Sequence, residues 1–456
     1  MAAKCLCIIL AAGEGTRMRS SLPKVLHKIA NLPMVCHVIE TLAQIAVEKI
    51  LVVLGNKAEL VKEAIASFVA ERHDDLAIDY VVQKERLGTA HAVLACSEEL
   101  AKQYEHVLIV FGDTPLIEAE YLERANAMLD QGIDIAVFGF RTGKPEGYGR
   151  LIEIEGKLTE IIEEKDASVE QKQINFCNGG LMALSGRQAL ALLEEVNNNN
   201  NNREFYLTDI IKIAKSKNLT VTSIEVPLDN VMGVNNAEQL AAADAVWQQR
   251  KRAAFLAKGV SLQMPETIYF SYNTQIEPGA CVEPYVYFGP DVYVAANASI
   301  HAFSYLEGAQ ISNGAKIGPF ARLRSGSNIG EDVKIGNFCE VKNSHIDAGA
   351  KLNHLSYIGD AIIGAKTNIG AGVITCNYDG QNKWQTIIEP GVFVGSNSSL
   401  VAPIIIKNGA YIGSGSVITE DVAPNALAIA RARQVNKDNY AITLRQRSEK
   451  IIKQGV

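Results

Sequence analysis

The last third of the chain carries an apolar residue at every sixth position. The series runs from Ile276 to Ile418, with single-residue slips near Gln310, His345 and Ile362. A period of six suits neither an amphipathic helix nor a two-sided strand, but it does suit short strands stacked into a parallel β-helix. If three hexads form one coil, the segment holds roughly eight coils about 4.8 Å apart. The spacing does not determine the hand of the coil.

The first half of the chain alternates apolar runs with segments of helical period. CIILAA, KILVVLG, HVLIVFGD and IDIAVFGF are typical of buried strands, whereas MVCHVIETLAQIA and AELVKEAIASFVA have the period of helices. This alternation predicts an α/β domain with a parallel sheet, whose ligands bind beyond the carboxyl ends of the strands. We expect this domain over residues 1–233, a connecting helix over 234–259, and the β-helix with a C-terminal tail over 260–456.

The composition argues against several classes of protein. A formal net charge of -7 over 456 residues argues against a nucleic-acid partner, because such proteins carry a basic surface. The eight cysteines are scattered without a pair of CxxC motifs, so we expect free thiols in a reducing compartment rather than a zinc site. The apolar run CLCIILAAG is too short to span a membrane and lacks a cleavage-site pattern. We therefore expect a cytoplasmic protein with no integral membrane segment.

A glycine-rich turn follows the first predicted strand. Gly13 and Gly15 lie where the chain must turn sharply, which leaves backbone N–H groups free to hold a phosphate or a ribose. Arg17 and Lys24 follow, so two cations flank the turn. On these residues alone, an ordinary surface turn with solvated charges is an open alternative.

Longer motifs indicate a family. LAAGEGTRMRSSLPK, from Leu10 to Lys24, resembles the signature of sugar-phosphate nucleotidyltransferases. Further stretches of the chain are similar to motifs of the uridylyltransferase branch of these enzymes, namely LGTAHA, FGDTPL, GYGR, IIEEKDA, NGG, YLTD and VNN. With the six-residue repeat, residues 4–431 resemble the bacterial family of bifunctional N-acetylglucosamine-1-phosphate uridylyltransferase/glucosamine-1-phosphate N-acetyltransferases.

This resemblance implies a fold, an assembly and a pair of reactions. The fold would be a Rossmann-like nucleotidyltransferase domain, a connecting helix and a left-handed parallel β-helix through which a homotrimer forms. Acetyl-CoA would acetylate glucosamine-1-phosphate, and Mg²⁺-dependent uridylyl transfer from UTP would then give UDP-N-acetylglucosamine and pyrophosphate. That product would supply peptidoglycan and lipopolysaccharide synthesis.

The resemblance also implies roles for residues of the first domain. Arg17 and Lys24 would grip the phosphates as catalytic cations, and Asp113 and Asn235 would hold Mg²⁺. The expected UTP-binding residues are Leu10, Ala11, Gly13, Lys24, Gln83, Gly88 and Thr89. The expected residues for N-acetylglucosamine-1-phosphate are Gly149, Glu163, Asn178 and Asn235. Taken alone, an aspartate after a strand also caps turns, and an asparagine before a helix is usually its N-cap.

Charged residues collect on one part of the six-residue repeat. Arg324 and Lys342 are eighteen residues apart, so stacking puts two cations about 5 Å apart on one face. Like charges this close are unfavourable unless an anion lies between them. Glu340 and Tyr357 stack beside this pair, and His354 projects outward nearby. The spacing therefore predicts a site where a phosphate, a carboxylate and a histidine meet.

For this second site, the resemblance makes His354 the general base that deprotonates the amine of glucosamine-1-phosphate. The expected residues for glucosamine-1-phosphate are Arg324, Lys342, Tyr357, Asn368 and Lys383, with Lys383 reaching in from another subunit. The expected acetyl-CoA residues are Ala371, Asn377, Tyr378, Ser396, Ser414 and Arg431. By spacing alone, the two serines are also compatible with ordinary exposed turns. The chain departs from the family pattern at Glu14 and Phe111, and its tail lacks a basic, Trp-containing ending.

Three functions remain open on the sequence. The first is the bifunctional enzyme, the second is a monofunctional sugar-phosphate nucleotidyltransferase whose β-helix only assembles or regulates it, and the third is a non-catalytic assembly or exchange-factor subunit. The cluster around His354 favours the first over the second. The cations of the glycine-rich turn, together with Asp113, favour both enzymes over the third.

Overall fold

The computed structural model describes residues 4–13, 15–73, 75–102, 104–154, 157–200 and 202–453, so Glu14 lies outside the described residues. The chain divides into two units. One comprises the residues up to Ala254 together with Phe270–Tyr272, and the other comprises Phe255–Tyr269 and the residues from Asn273 onward. The domain boundaries expected at residues 233 and 259 stay predictions.

The first unit contains strands, α-helices and short 3-10 helices. Its strands are β1 (Cys5–Ala11), β2 (Lys28–Ile29), β3 (Leu32–Pro33), β4 (Lys49–Leu54), β5 (Ile78–Val82), β6 (His106–Phe111), β7 (Ile135–Arg141), β8 (Arg150–Ile154), β9 (Lys157–Ile162), β10 (Phe176–Ser185) and β11 (Val221–Glu225). Its α-helices are α1 (Met34–Leu42), α2 (Ala58–Arg72), α3 (Thr89–Leu94), α4 (Ser97–Leu100), α5 (Ala119–Asp130), α6 (Gly186–Glu194), α7 (Ile210–Ser216) and most of α8 (Ala237–Ala257). Its 3-10 helices are Thr16–Met18, Lys24–Leu26, Gln171–Gln173, Leu207–Asp209 and Leu228–Val231.

The main sheet has the strand order β11-β7-β10-β6-β1-β4-β5. The four strands predicted from the apolar runs are present as β1, β4, β6 and β7, and they run parallel to one another. However, β10 lies between β6 and β7 and is antiparallel to both, and the hairpin of β8 and β9 pairs antiparallel with it. The sheet is therefore mixed: the predicted parallel strands are present, and the antiparallel strand β10 lies between two of them.

The residues of β1 alternate between two apolar cores. Cys7 and Ile9 pack into the core on one face of the sheet, while Ile8 and Leu10 pack into the core on the other. Because both faces are apolar, helices cover both of them. Gly13, Gln83 and Asp113 follow the ends of β1, β5 and β6, so they gather where ligands bind in such sheets.

The N-terminus of α8 is capped by Asn236. The side-chain Oδ1 of Asn236 accepts a hydrogen bond from the N–H of Gln239 at 2.8 Å, and the side chain of Gln239 accepts one from the N–H of Asn235 at 2.8 Å. The side chain of Asn235 is therefore not needed for capping. Past the last turn of α8, Gly259 adopts a positive φ of 87°.

The second unit is a parallel β-helix with three faces, each of which is a parallel sheet. The first face consists of β12 (Ser261–Leu262), β14 (Cys281–Val282), β17 (Ser299–Ile300), β20 (Lys316–Ile317), β23 (Lys334–Asn337), β26 (Lys351–His354), β29 (Asn368–Ile369), β32 (Phe393–Val394), β35 (Tyr411–Ile412) and β37 (Leu427–Ala428). The second consists of β13 (Gln275–Ile276), β16 (Tyr293–Val294), β19 (Ala309–Ile311), β22 (Ser327–Ile329), β25 (Ser344–Ile346), β28 (Ala361–Ile363), β31 (Thr386–Ile388) and β34 (Ile404–Ile406). The third consists of β15 (Tyr287–Phe288), β18 (Tyr305–Leu306), β21 (Arg322–Leu323), β24 (Glu340–Lys342), β27 (Tyr357–Gly359), β30 (Ile374–Cys376), β33 (Ser399–Val401) and β36 (Val417–Ile418). A 3-10 helix covers Pro265–Thr267, and α9 covers Tyr440–Lys453.

The six-residue repeat sets the register of this coil, as predicted. Val282, Ile300 and Ile317 stack on adjacent strands of the first face, and all three are fully buried. The step is eighteen residues from Val282 to Ile300 and seventeen from Ile300 to Ile317, which confirms the slip near Gln310. The hand of the coil stays a prediction. No helix within the described ranges is long and apolar enough to cross a membrane.

Candidate active sites

A cavity of about 440 Å³ lies at the carboxyl ends of β1, β5 and β6. Every residue expected to bind UTP lines it, namely Leu10, Ala11, Gly13, Lys24, Gln83, Gly88 and Thr89. Asp113 and Glu163 line it as well, and so does Phe111, one of the two departures from the family pattern. The sequence-predicted nucleotide residues, which are spread over eighty positions, therefore meet in one place.

The ammonium group of Lys24 bridges two side-chain oxygens in this cavity. Nζ contacts Oδ2 of Asp113 and lies 3.0 Å from Oδ1 of Asn235. The guanidinium Nη2 of Arg17 donates to the same amide oxygen at 3.0 Å. The side chains of Lys24 and Asp113 are only 12% and 17% exposed, so solvent screens this pair less than it screens a surface ion pair.

The turn after β1 folds back onto Lys24. Gly15 has a φ of 65°, and a Cβ at that position would lie 2.6 Å from the Cβ of Lys24. Glycine is required there both for the left-handed backbone and for the close approach. The 3-10 helix that follows carries Arg17, whose side chain reaches Asn235.

The oxygens around Lys24 fit a magnesium ion. Mg²⁺ is usually bound by one or two protein oxygens, with substrate phosphates and water completing its six ligands. Asp113 and Asn235 supply two such oxygens, and a cationic group of the protein already lies against both. Within the described part of the chain, no group of three or more His, Cys, Asp or Glu side chains is placed to hold a metal. The donor set therefore suits an ion that arrives with a nucleotide.

Three residues expected to bind the sugar phosphate lie together beside the cavity. The backbone N–H of Asn178 donates to the carbonyl of Gly149 at 2.8 Å, and a Cβ on Gly149 would lie 3.6 Å from Oε2 of Glu163. The hydroxyl of Thr208 donates to Oε1 of Glu163 at 3.1 Å. Burial raises the pKa of Glu163, nearby acidic side chains add to the effect, and the hydrogen bond from Thr208 opposes it.

In the second unit, His354 lies at the end of β26 and is exposed. Its Nδ1 is 2.8 Å from Oδ1 of Asn337, the residue that stacks on it from the preceding coil. Because an amide oxygen can only accept, Nδ1 donates to it, and in the neutral imidazole the lone pair is then on Nε2. Sequence reasoning missed Asn337, although its position seventeen residues before His354 is the signal that points to it. Asn368 begins β29, the next strand on the same face.

The predicted stacking of charged residues on this coil is present. The N–H of Arg324 donates to the carbonyl of Val341 at 2.9 Å, which places Arg324 level with Lys342, and Glu340 pairs in register with Tyr357. The guanidinium of Arg324 forms a salt bridge with Glu340 at 3.0 Å. The positive charge of Arg324 is therefore partly compensated within the chain.

Lys383 lies beside Lys342 of its own chain. Hydrogen bonding with Lys342 and repulsion from its charge lower the pKa of Lys383. Lys383 is expected to reach into the site of another subunit, and in the structure it also has a neighbour within its own chain. Burial opposes ionisation of the nearby Asp360, but hydrogen bonds from Asn343 and Asn377, together with the two lysines, lower its pKa overall.

The polar loop that interrupts the repeat is ordered by Asp379. Its Oδ1 accepts hydrogen bonds from the N–H groups of Gln381 at 2.8 Å and Asn382 at 2.7 Å, and its Oδ2 accepts one from the indole of Trp384 at 2.7 Å. These hydrogen bonds, led by that from Trp384, lower the pKa of Asp379 to about 2. Tyr378, which precedes Asp379, is exposed on this loop.

Most residues expected to bind acetyl-CoA form one column. The N–H of Gly415 donates to the carbonyl of Ser396 at 2.8 Å, so Ser396 and Ser414 stack as predicted. The carbonyl of Ala371, one coil earlier, accepts a hydrogen bond of 2.7 Å from the N–H that follows Ser396. Cδ of Arg431 lies 3.7 Å from the position that a Cβ on Gly415 would take.

Comparison with known proteins agrees with the two units. The family model for the MobA-like NTP transferase domain matches residues 7–211. The model for the GMPPB C-terminal domain matches residues 308–380, and that for the bacterial transferase hexapeptide (six repeats) matches residues 385–420. The fold and these matches define a class in which a nucleotidyltransferase domain is joined to a hexapeptide transferase domain.

Proteins that are similar to this chain over nearly its whole length identify its family. Bifunctional protein GlmU of Bartonella quintana (strain Toulouse) is 55% identical, over 97% of this chain and 98% of that protein. The protein of the same name from Brucella anthropi is 56% identical, over 97% of this chain and 96% of that protein. The one from Bartonella bacilliformis is 53% identical, over 98% of this chain and 98% of that protein. The chain belongs to this family of bifunctional GlmU proteins.

The enzyme is therefore a bifunctional transferase of UDP-N-acetylglucosamine synthesis, which joins uridylyltransferase and acetyltransferase activities. It uses Mg²⁺, with UTP and acetyl-CoA as cosubstrates. The monofunctional and non-catalytic alternatives left open by the sequence are set aside.

Proposed function

We propose that the cavity around Lys24 is the uridylyltransferase site and that the cluster around His354 is the acetyltransferase site. The observation that carries this assignment is the contact of Lys24 with both Asp113 and Asn235 in a cavity lined by all the expected nucleotide residues. A positive group held between two hard oxygens is suited to polyphosphate and its metal. Surface charge alone does not explain an ion pair this well shielded.

In the first site, a phosphate oxygen of N-acetylglucosamine-1-phosphate attacks the α-phosphorus of UTP, and pyrophosphate leaves as the bond to the β-phosphate breaks. Lys24 and Arg17 neutralise phosphate charge that would otherwise repel the nucleophile. Asp113 and Asn235 would hold Mg²⁺, which when bound supplies further charge neutralisation. Gly149, Glu163 and Asn178 orient the sugar.

In the second site, Nε2 of His354 takes a proton from the ammonium of glucosamine-1-phosphate. The free amine attacks the thioester carbon of acetyl-CoA, and the carbon–sulfur bond breaks as the sulfur takes up the proton held by His354 and leaves as a thiol. The nitrogen gives its second proton back to His354, which releases it to solvent. Asn337 holds the imidazole with Nε2 outward. Arg324, Lys342 and Lys383 supply positive charge for the sugar phosphate, and the column of Ser396 and Ser414 lies where the cofactor arm would rest.

We also propose that the enzyme is a homotrimer through the β-helix, as the resemblance implies. Tyr285, Phe303, Phe320 and Phe338 stack along one corner with ring centroids 5.0, 4.9 and 5.2 Å apart, and each ring is about half exposed. An exposed ridge of this kind indicates a protein contact. The ridge ends at Leu355, next to His354, so a second copy that covers it would also enclose the catalytic base.

A cytoplasmic location completes the proposal. All eight cysteines are free thiols in the structure, and both cosubstrates are phosphorylated metabolites of the cell interior. Cell fractionation that recovers the protein outside the cytoplasm would refute this location.

The two assignments are tested on the purified protein with two assays. Pyrophosphate release from UTP and N-acetylglucosamine-1-phosphate should require Mg²⁺ and stop with EDTA. Thiol release from acetyl-CoA and glucosamine-1-phosphate should continue in EDTA, because no residue of the second site is assigned to a metal. Light scattering on the same sample should give three chains, and a monomer with full acetyltransferase activity would refute the trimer.

A further inference from the structure

The amide of Gln83 is held in one orientation by two acceptors. Its Nε2 lies 3.1 Å from Nδ1 of His91 and 3.5 Å from the carbonyl oxygen of Gly88. A carbonyl can only accept, so the –NH₂ group must face Gly88. His91 must then present an unprotonated Nδ1 to the same group, with its ring proton on Nε2. Gln83 is only 7% exposed, which leaves its side chain few other partners.

The ring of His91 is itself fixed by a segment distant in sequence. Its centroid lies 6.3 Å from that of Phe205. The N–H of Phe205 donates to the carbonyl of Leu87 at 2.7 Å, and its carbonyl accepts from the N–H of Ala90 at 2.9 Å. Gly88 lies between these two hydrogen bonds with a φ of 124°, and a Cβ there would be 2.4 Å from the carbonyl oxygen of Phe205. The backbone therefore clamps both acceptors that face Gln83.

This arrangement decides what Gln83 can offer a ligand. Both of its amide hydrogens face protein acceptors, and among the described residues Oε1 accepts no side-chain or backbone hydrogen bond. Gln83 lines the nucleotide cavity, so its free function there is an acceptor. Uracil carries a donor at N3, whereas cytosine carries an acceptor at N3. An amide locked with Oε1 as its free atom therefore suits uracil and repels cytosine.

We propose that His91 is a positioning residue that sets the base specificity of uridylyl transfer by fixing the amide of Gln83. The inference rests on the proposed UTP site. Without the acceptor on His91, the amide of Gln83 can rotate and present Nε2 to the base. The preference for UTP over CTP should then fall, even where the rate with UTP changes little.

Two substitutions at His91 separate this role from a structural one. His91→Leu removes the acceptor, and the ratio of kcat/KM for UTP to that for CTP should fall by about tenfold, the value of one hydrogen bond. His91→Asn keeps an oxygen close to the position of Nδ1 and should retain most of the ratio. Acetyl transfer by the same preparations reports whether the chain is intact, because that reaction uses the other unit.

A double substitution shows whether His91 acts through Gln83. In a Gln83→Leu background, His91→Leu should leave the nucleotide ratio unchanged, since the amide that it orients is gone. An unchanged ratio in His91→Leu alone, or an equal drop in His91→Asn, would overturn the inference. If His91→Leu proves too slow to assay, dissociation constants for UTP and CTP give the same ratio. A wild-type protein without uridylyl transfer would instead refute the proposed site.

Discussion

The nucleotide cavity and the face around His354 differ in how much of their chemistry one chain encloses. In the cavity, the side chains of Lys24 and Asp113 are 12% and 17% exposed, and backbone from distant segments closes around them. His354, in contrast, is exposed at the end of a strand, and among the described residues its side chain has one hydrogen-bond partner, from the preceding coil. A folded α/β unit can build a concave site by itself, whereas a straight coil offers flat faces and depends on a neighbour to enclose a substrate.

The electrostatics of the two regions differ in the same way. Arg17 and Lys24 converge on one amide oxygen next to a carboxylate, so two cations and one anion share a small volume with an excess of positive charge. Lys342, which is half-buried, and Lys383, which is exposed, lie side by side; hydrogen bonding with Lys342 and repulsion from its charge lower the pKa of Lys383. The first arrangement suits a metal–phosphate group. In the second, the carboxylate of Asp360 offsets part of the repulsion between the lysines, and a bound anion would offset more of it.

The largest expected effect separates the two regions at His354. His354→Ala removes the proposed base, so acetyl transfer should fall on the order of 10²–10⁴-fold, while uridylyl transfer should be unaffected. Initial rates of both reactions on one preparation measure this. His345→Ala is the matched control, because His345 is also on the coil but pairs with Asp347 at 2.9 Å, away from the proposed site. An equal loss in the control would break the assignment.

Lys24→Ala should give the reverse pattern. Loss of the cation between Asp113 and Asn235 leaves phosphate charge unneutralised, and uridylyl transfer should fall by about 10²–10³-fold. Acetyl transfer should be unchanged. Lys28→Ala, at an exposed position of β2, controls for the simple loss of a positive charge. A fall in acetyl transfer would show that the two regions are not independent.

Asn337 tests the exposed site through a smaller effect. Asn337→Ala frees the imidazole of His354 and should slow acetyl transfer by about tenfold, the cost of one lost hydrogen bond. Asn337→Asp keeps an acceptor oxygen for Nδ1 and should slow the reaction less than Asn337→Ala does. Initial rates of thiol release measure both variants, and an equal loss in the two would argue against this hydrogen bond in solution.

The smallest expected effect is a pH shift in the enclosed site. Burial already raises the pKa of Glu163, and Thr208→Val removes the hydrogen bond that opposes this rise. The carboxyl should therefore protonate at a still higher pH, and the acid limb of uridylyl transfer should move upward. The pH profile of kcat/KM for N-acetylglucosamine-1-phosphate measures the shift. A downward movement would contradict the proposed contact, and the acetyl-transfer profile serves as the control.

The coil was the more predictable of the two regions. A repeat of fixed length converts sequence separation into distance, so the stacking of Arg324 on Lys342 and of Glu340 on Tyr357 followed from counting. Counting back seventeen residues from His354, to allow for the one-residue slip near His345, would have found Asn337 stacked on it. What counting could not give was the salt bridge of Arg324, because side-chain rotamers are not set by the repeat.

In the α/β unit, the motifs predicted residues that line one cavity, but not the contacts between them. Asn235 and Asn236 are indistinguishable as helix caps until the structure assigns the cap to Asn236. The antiparallel direction of β10 has no periodic signal in its sequence, since a buried strand is apolar in either direction. The contact of Gln83 with His91 depends on how a distant loop packs against Gly88, which no local pattern encodes.

The independence of the two sites is tested most directly by mixing two variants. Neither His354→Ala nor Lys24→Ala alone should make UDP-N-acetylglucosamine from glucosamine-1-phosphate, acetyl-CoA and UTP at more than a small fraction of the wild-type rate. An equimolar mixture should make it, because the Lys24 variant supplies N-acetylglucosamine-1-phosphate and the His354 variant consumes it. A mixture as inactive as either variant alone would contradict the account.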